Sequence, residues 1–309
     1  MKSIEEIHRA DIALLSDRRY EGEARPGDWY HGQMIEDDRY LIEELAKRGY
    51  SSVRVDWSRP GVDWSRFKAL VVRTTWDYYE RFGEFSEWFN RVKSEAVFIN
   101  PPDALEWNMH KRYLPELEGK GIPIVPVRMI DKGSGESITN LLEETGWNEA
   151  VIKPAVSGGA RLTYRVNADK AEEIDAKLRP HLETEDFLIQ PFMKQIQTTG
   201  EDTLMVFNGR YTHAIRKKAK AGDFRVQDDH GGTFETYEPS EAQIKLALDA
   251  MKASGYNLTY GRVDMVKDDA GTDLVMELEI VEPELWIRLH PESAAVFAEE
   301  IVRAVNSKQ

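Results

Sequence analysis

The chain has 309 residues, 41% hydrophobic and 31% charged, enough for two or three lobes with sizeable cores. Lys and Arg number 41 against 55 Asp and Glu, and the net charge of −14 disfavours nucleic acid as the main partner and requires any anionic ligand to be held by a local cluster of cations. There is no cysteine, which excludes disulfides, thiolate metal sites and a cysteine nucleophile; a reducing, cytoplasmic setting is expected, with no apolar run of membrane-spanning length and too short a one at the start for a secretory signal.

In chain order, DIALLS (11–16) reads as a strand, and MIEDDRYLIEELAKR (34–48) has helical apolar spacing that stops at Gly49. SSVRVDW and ALVVRTTW (69–76) read as strands, FGEFSEWFNRVKSE as a helix, VFIN as a strand, and DALEWNMHKRYLPELEGKG as one helix with a glycine stop. Alternating strand and helix predict a parallel α/β sheet over residues 1–105. From about residue 121 the pattern changes. GIPIVPVRMI is a strand region, ITNLLEETG a short helix, VIKPA a strand, residues 168–178 a helix and FLIQPF (187–192) a strand. MVFNGRYTHAI centres on Asn208 and Gly209, a hairpin signal. YGRVDMVKDDAGTDLVMELEIVE (260–282) reads as a second hairpin about Ala270 and Gly271, and ESAAVFAEEIVRAV as a closing helix. Paired strands with few helices predict two α+β lobes, over 106–190 and 191–309.

The last hairpin gathers carboxylates. Side chains alternate along a strand, so Glu277 and Glu279 share a face. Symmetry about Ala270 and Gly271 puts Asp264 opposite Glu277 on that face, with Arg262 beside it. Like charges facing one another destabilise a sheet, so the cluster needs water on an open face or a cation. An oxygen-only donor set suits Mg²⁺ shared with phosphates; a solvated acidic edge is the alternative. Val263, Met265, Leu278 and Ile280 imply that the other face is buried. Glu282 and Pro283 follow, a further acid at a break.

Lys153 ends an apolar strand, and Gly158 and Gly159 follow it, where backbone amides can approach an anion; an ordinary turn reads the same way. No GxxxxGK[ST], GxGxxG after a strand, GxSxG or HExxH is present, and the seven histidines show no metal-like spacing. RKKAKAGDFRVQDDHGG (216–232) concentrates Arg216, Lys217, Lys218, Lys220 and Arg225 between glycines, either a solvated loop or mobile cations able to close over a phosphoryl group.

Taken in order, VIKPAVSGGAR, FLIQPF with GEDTLMVFNG, HAIRKKAKAGDFRVQDDHGG and RVDMV…MELEIVEP resemble the ATP-grasp superfamily, in its glutathione-synthetase-like branch. VVRTTWDY, INPPDALEWNMHKRYL, the GDFR segment and ELEIVEPEL are similar to the cycloserine-pathway group of O-ureido-serine cyclo-ligases and their relatives. The resemblance spans about residues 50–300. It implies a pre-ATP-grasp α/β domain followed by a two-lobed ATP-grasp domain. It also implies an ADP-forming carboxylate–amine ligase using ATP and one or two Mg²⁺ (or Mn²⁺) ions. A carboxylate kinase and a nucleotide-binding regulatory protein without turnover are the alternatives. The partners implied are a small carboxylate and an amine, with neither nucleic acid nor membrane; a homodimer is compatible with the family.

By the same resemblance, Lys111 and Lys153 hold ATP phosphates, and Gly158, Gly159 and Arg161 belong to a lid. Gln190 and Phe192 line the adenine hinge, and Glu201 takes ribose hydroxyls. Arg225, with Lys153, is catalytic at the transferring phosphoryl group. Asp264, Glu277 and Glu279 ligate the metal. Arg73, Thr74, Thr75, Trp76 and Asp77, at a strand end, and Arg216 are assigned to the acceptor substrate; Trp76 also reads as a packed aromatic. Glu279 stands where the family pattern carries asparagine, which adds a charge. RRYEGEARPGDWYHGQ (18–33) matches no motif of the family.

Overall fold

The structure, a computed structural model, describes residues 2–220, 222–226 and 231–307. The chain opens with α1 (Ile4–Ile7), β1 (Ile12–Ser16), α2 (Trp29–Lys47), β2 (Ser52–Asp56), β3 (Ala69–Thr74), α3 (Phe82–Val92) and β4 (Phe98–Ile99). These strands form a four-stranded, wholly parallel sheet in the order β2-β1-β3-β4, as the alternation predicts. Every residue of β1 and β3 is buried, as expected of a parallel sheet covered on both faces. α2 starts five residues before the apolar periodicity, because the Asp28 side chain accepts from the His31 amide and caps it there.

Next come α4 (Pro102–Met109), α5 (Tyr113–Gly119), β5 (Arg128–Ile130), α6 (Ile138–Thr145), β6 (Glu149–Pro154), β7 (Tyr164–Asn167), α7 (Ala171–Leu182) and β8 (Phe187–Pro191). The single helix expected over 103–121 is two. Pro115 has no amide proton to give the Lys111 carbonyl, and its ring would collide with that carbonyl in a continuous helix. The chain therefore breaks at His110, which is extended (φ −114°, ψ 124°), and Lys111 sits at the break. Strands β5, β8, β6 and β7 make an antiparallel sheet in that order.

The last part holds α8 (Gln195–Thr198), β9 (Glu201–Phe207), β10 (Arg210–Lys218), β11 (Thr233–Tyr237), α9 (Glu241–Ala253), β12 (Tyr260–Lys267), β13 (Asp273–Glu279) and α10 (Ser293–Ser307). Its antiparallel sheet runs β11-β10-β9-β12-β13, and both expected hairpins are present. α9 has no counterpart in the sequence reading, although a Ser240–Gln243 capping box opens it. α10 packs on its own sheet, with Phe297 against Phe207 and Tyr260, and on the first domain as well. Its Phe297, Ala298 and Ile301 share a core with Ile12 and Leu14 of β1 and Leu41 of α2, which ties the two ends of the chain together. No described helix is long and apolar enough to cross a membrane.

His213 of β10 is a buried imidazole in this frame, stacked on His290 at 4.8 Å. Its Nε2 donates to the Leu285 carbonyl (2.8 Å) and the Thr212 hydroxyl donates to Nδ1 (2.9 Å), the neutral tautomer that fits both partners. Burial pushes its pKa down to about 4. The unfolded chain, with imidazole near 6.5, takes up the proton first, so stability is full above about pH 6.5 and falls as pH drops towards 4. His213 alone accounts for about 2 kcal/mol of loss at pH 5. Urea unfolding at pH 7.5 and 5 should therefore show a smaller pH-dependent loss for His213→Gln than for the wild type. Equal losses would remove His213 from the account.

Candidate active site

A cavity of about 330 Å³ lies between the three sheets. One half is apolar: Val125, Phe192, Ile196 and Val226 form a buried cluster against Phe224 and Met276, and all of them line the cavity. The other half is charged, and β12 and β13 build it. Arg262 faces Glu279 and Asp264 faces Glu277, the pairing that hairpin symmetry predicts. The route to that pairing differs. Near the turn Lys267 faces Asp273 and Val266 faces Leu274, which centres the turn on Ala270; Met276 is then bulged out between Asp264–Glu277 and Met265–Val275. One extra residue reverses the faces of a strand. Without it Glu277 and Glu279 would point into the core; with it Val275 and Leu278 are buried there, and Met276, Glu277 and Glu279 line the cavity.

The free edge of β13 is fixed from α4 and α5. Asn108 Nδ2 donates to the Leu278 carbonyl (2.7 Å), the Ile280 amide donates to Asn108 Oδ1 (3.0 Å), and the Leu278 amide donates to the Tyr113 hydroxyl (3.1 Å). These bonds bracket Glu277 and Glu279 and set their direction.

Each carboxylate meets a cation. Arg262 donates to both oxygens of Asp264 (2.8 Å each) and also to Glu279. Lys217 reaches Asp264 at 3.2 Å and pairs with Glu201, and Thr203 donates to Asp264. Lys153 donates to Glu277. Burial alone would raise Asp264, but Arg262 and Lys217 hold it below the usual carboxylate range. Burial likewise opposes ionisation of Glu277, yet Lys111 and Lys153 bring it to about 2. Glu279 goes the other way. Burial pushes it up to about 7, with Arg262 opposing and Asp264 and Glu277 adding to the rise.

Lys111 donates through Nζ to the Ser157 carbonyl (2.9 Å) and through its amide to the Ala155 carbonyl (2.9 Å), so the helix break is stitched to the loop after β6. That loop rests on the N-terminal domain. A Cβ on Gly158 would stand 2.6 Å from Tyr79 Cε1, and Gly159, at φ +54°, lies against the Tyr79 hydroxyl. The glycines thus make room for an aromatic ring, a reason their spacing in the sequence does not disclose.

Among the residues singled out from the sequence, Lys111, Lys153, Gly158, Gly159, Gln190, Phe192, Glu201, Arg225, Asp264, Glu277, Glu279 and Trp76 all line this cavity. Arg225 does so from a described part of the 216–232 segment, where it donates to Asp223 (2.7 Å); residues 221 and 227–230 lie outside the described residues. Others are placed elsewhere. Arg161 makes a two-pronged pair with Glu185 (2.8 Å each). Arg216 does the same with Asp202 (2.6 and 2.9 Å) and lies over the Tyr237 ring. Arg73 is buried on Asp38 (2.9 Å), Thr74 accepts from Arg54 (3.1 Å), Thr75 is fully buried, and Asp77 accepts from Trp57 (2.7 Å) and Arg81 (2.6 Å). None of these six lines the cavity: Arg161, Arg216, Arg73, Thr74 and Asp77 are engaged by other side chains, and the Thr75 hydroxyl is buried without a partner. Conversely, Tyr79 and Thr203 help build the site and were given no role from the sequence, and Lys217, read there among the cations of a solvated or mobile loop, lies on β10. For Lys217 the signal was there: strand alternation sets it opposite in face to Arg216 and Lys218.

No group of three or more His, Asp or Glu among the described residues forms a ready-made metal cage. The donor set nevertheless fits Mg²⁺, which is usually held by one or two carboxylates and shared with phosphates. Glu277 and Glu279 each engage one oxygen in an ion pair, and a divalent cation would favour the ionised form of Glu279 that burial, and after it the charges of Asp264 and Glu277, oppose.

Comparison with known proteins agrees with this geometry. Residues 120–285 match the RimK-like ATP-grasp domain family, and residues 12–100 match the D-cycloserine synthetase DcsG N-terminal domain family. The chain is 30% identical over 272 residues to the cycloserine biosynthesis protein DcsG of Streptomyces lavendulae, covering 84% of this chain and 91% of that one. It is 29% identical over 187 residues to a D-alanine–D-alanine ligase of Clostridium beijerinckii, covering 58% and 59%. The crystal structure of D-cycloserine synthetase DcsG superposes with a TM-score of 0.83 at 27% identity, over 95% of this chain and 99% of that one.

The seating of the glycine loop on Tyr79 can be tested by size alone. Gly158→Ala should expose residues 155–163 to limited proteolysis, and Gly158→Ala with Tyr79→Ala should restore wild-type protection. If the single variant is as protected as the wild type, the contact does not hold the loop.

Proposed function

The chain belongs to the RimK-like ATP-grasp family and is an ATP-grasp ligase, and on that premise we propose that it activates a small carboxylate of the amino-acid class as an acyl phosphate and couples it to an amine. The observation that carries this reading is the pairing of Lys153 with the Glu277 carboxylate, on whose charge Lys111 also acts, beside Glu279 and an apolar slot, in one cavity. A triphosphate needs those cations, a shared metal needs those carboxylates, and a purine needs that slot. The name of one relative, a D-alanine–D-alanine ligase, favours amino acids as the substrate class.

In this reading Lys111 and Lys153 hold the phosphates, Glu201 takes the ribose hydroxyls, and Gln190 and Phe192 border the base. Arg225 neutralises the transferring phosphoryl group. Glu277 and Glu279, with Asp264, hold one or two Mg²⁺ (or Mn²⁺) ions, which supply neutralisation of the phosphate charge. A carboxylate oxygen of the substrate attacks the γ-phosphorus and ADP leaves. The amine nitrogen then attacks the acyl carbon, phosphate leaves, and the nitrogen gives up one proton. Charge neutralisation and positioning do most of the work of such a transfer. The loop seated on Tyr79 keeps water from the acyl phosphate.

Incubation with Mg²⁺-ATP and a matrix of amino acids and small amines should release ADP and phosphate, and chelation of the metal should stop it. Release that needs both an acid and an amine marks joining of two molecules. Release with one compound marks ring closure or a kinase, which the product mass separates. Lys153→Ala should lower kcat on the order of 30- to 1,000-fold, equivalent to about 2–4 kcal/mol for one positioned cation. Full turnover by Lys153→Ala would falsify the assignment.

A further inference from the structure

Residues 18–33, for which the sequence offered no motif, lie within the matched N-terminal domain and reach the cavity. Tyr20 and Tyr30 both line the cavity there, beside Trp76 of the β3–α3 connection. The three rings hold one another: Tyr20–Trp76 centroids are 5.5 Å apart, Tyr30–Trp76 6.0 Å and Tyr20–Tyr30 6.2 Å, with interplanar angles of 74°, 43° and 64°. The Trp76 indole is also pinned, its Nε1 donating to the Glu282 carbonyl at 3.0 Å. On the far side of Tyr30, at 5.5 Å, stands Trp29, which is 57% exposed, so the line of rings continues to the surface.

This end also carries a carboxyl. Glu282 lines the cavity, and no side chain of another described residue hydrogen-bonds its carboxylate. Of the cations that act on it, Lys111 donates to the Ser157 carbonyl and Arg262 is shared between Asp264 and Glu279. Arg19 also lines the cavity here, paired with Asp17 (2.7 Å) and with its guanidinium 5.3 Å from the Tyr20 ring centroid. Burial pushes the Glu282 carboxyl up to about 8, and the charge of Glu279 adds to this. A bound cation would reverse that cost, and aromatic faces attract cations within about 6 Å of a ring centroid.

We infer that Tyr20, Tyr30, Trp76 and Glu282 form a subsite for the cationic, ammonium-bearing end of a substrate, and that residues 18–33 set this specificity. The inference rests on the ligase reading only in taking this cavity as the substrate cavity. An amine partner with a positive group remote from its reacting nitrogen fits both halves of the site. The rings discriminate by charge at nearly constant shape, so the test keeps shape fixed and changes charge.

Choline and 3,3-dimethyl-1-butanol differ by a quaternary nitrogen against a quaternary carbon. Their dissociation constants, measured by ligand-observed NMR titration of the full chain without ATP, should differ at least tenfold in favour of choline. Glu282→Gln and Trp76→Leu should each remove most of that difference. Tyr30→Leu serves as a third variant should either fail to keep the wild-type Tm. Equal affinities for the two probes, or choline binding indifferent to all folded variants, would overturn the subsite. Because no ATP is present, the result is separable from the ligase reading. Choline selectivity with no ADP release on any amine would leave the subsite standing and remove the reaction.

Discussion

A strand can present only alternate residues to a given face, and β13 has to serve two masters with one short run. It must bury Val275 and Leu278 in the core and aim Glu277 and Glu279 into the cavity. Strict alternation cannot do both across a spacing of three, and the bulge at Met276 resolves the conflict. Much else in the molecule supports that local irregularity. A bulged edge strand has unpaired backbone groups, and α4 and α5 meet them with Asn108 and Tyr113. Asn100, at φ 61°, clamps the other end of the hairpin by donating to Tyr260 and Ile280 and accepting from Thr259. The helix break at Lys111 is therefore part of the same construction. α4 and α5 have to lie along β13, and the residue between them is left facing the cavity.

The carboxylates that result would be untenable alone. Burying Asp264, Glu277 and Glu279 together is offset by Arg262, Lys217 and Lys153 drawn from three different strands. Buried ion pairs of this kind seldom add net stability, because desolvation consumes most of the Coulombic gain. Their effect is on geometry. Each long cationic side chain is held in place, and each carboxylate but Glu279 is kept ionised. A set of charges balanced in this way exchanges partners readily. In the proposed reaction phosphate oxygens would take over the lysines, and a divalent cation would take over the carboxylates.

The sequence discloses what depends on local pattern and conceals what depends on remote partners. The parallel sheet was legible because β1 to β4 alternate with helices, and the hairpin register was legible at Asp264 and Glu277. There two departures cancel: a turn centred on Ala270 and one bulged residue. The continuous helix over 103–121 failed on a single proline, whose clash acts four residues upstream where the apolar spacing gives no sign. α9 was passed over although Ser240 and Gln243 announce it. In the site, Lys111 and Lys153 reach the same cavity as the three carboxylates. Arg73 and Arg216 looked equally available. Whether an arginine is available depends on Asp38 or Asp202, residues 35 and 14 positions away, and no motif encodes that.

The two ends of the cavity differ in where their residues come from, and this bears on how such a site changes its chemistry. The three carboxylates, Lys153 and Lys217 belong to the two antiparallel sheets, where backbone ladders and ion pairs fix them together. Altering one disturbs several. The aromatic end belongs to connections of the parallel sheet, at the carboxyl ends of β1 and β3, where an open α/β sheet offers its ligand edge. Its rings pack on one another and also on His31, and Trp76 donates to the Glu282 carbonyl. Tyr79 links the two regions: it extends from the same β3–α3 connection as Trp76 and carries the glycine loop against its ring. A group seated among the aromatic residues thus lies close to the support of the loop that covers the reacting atoms. Substrate fit at one end and exclusion of water at the other are coupled through seven residues of chain, 73–79.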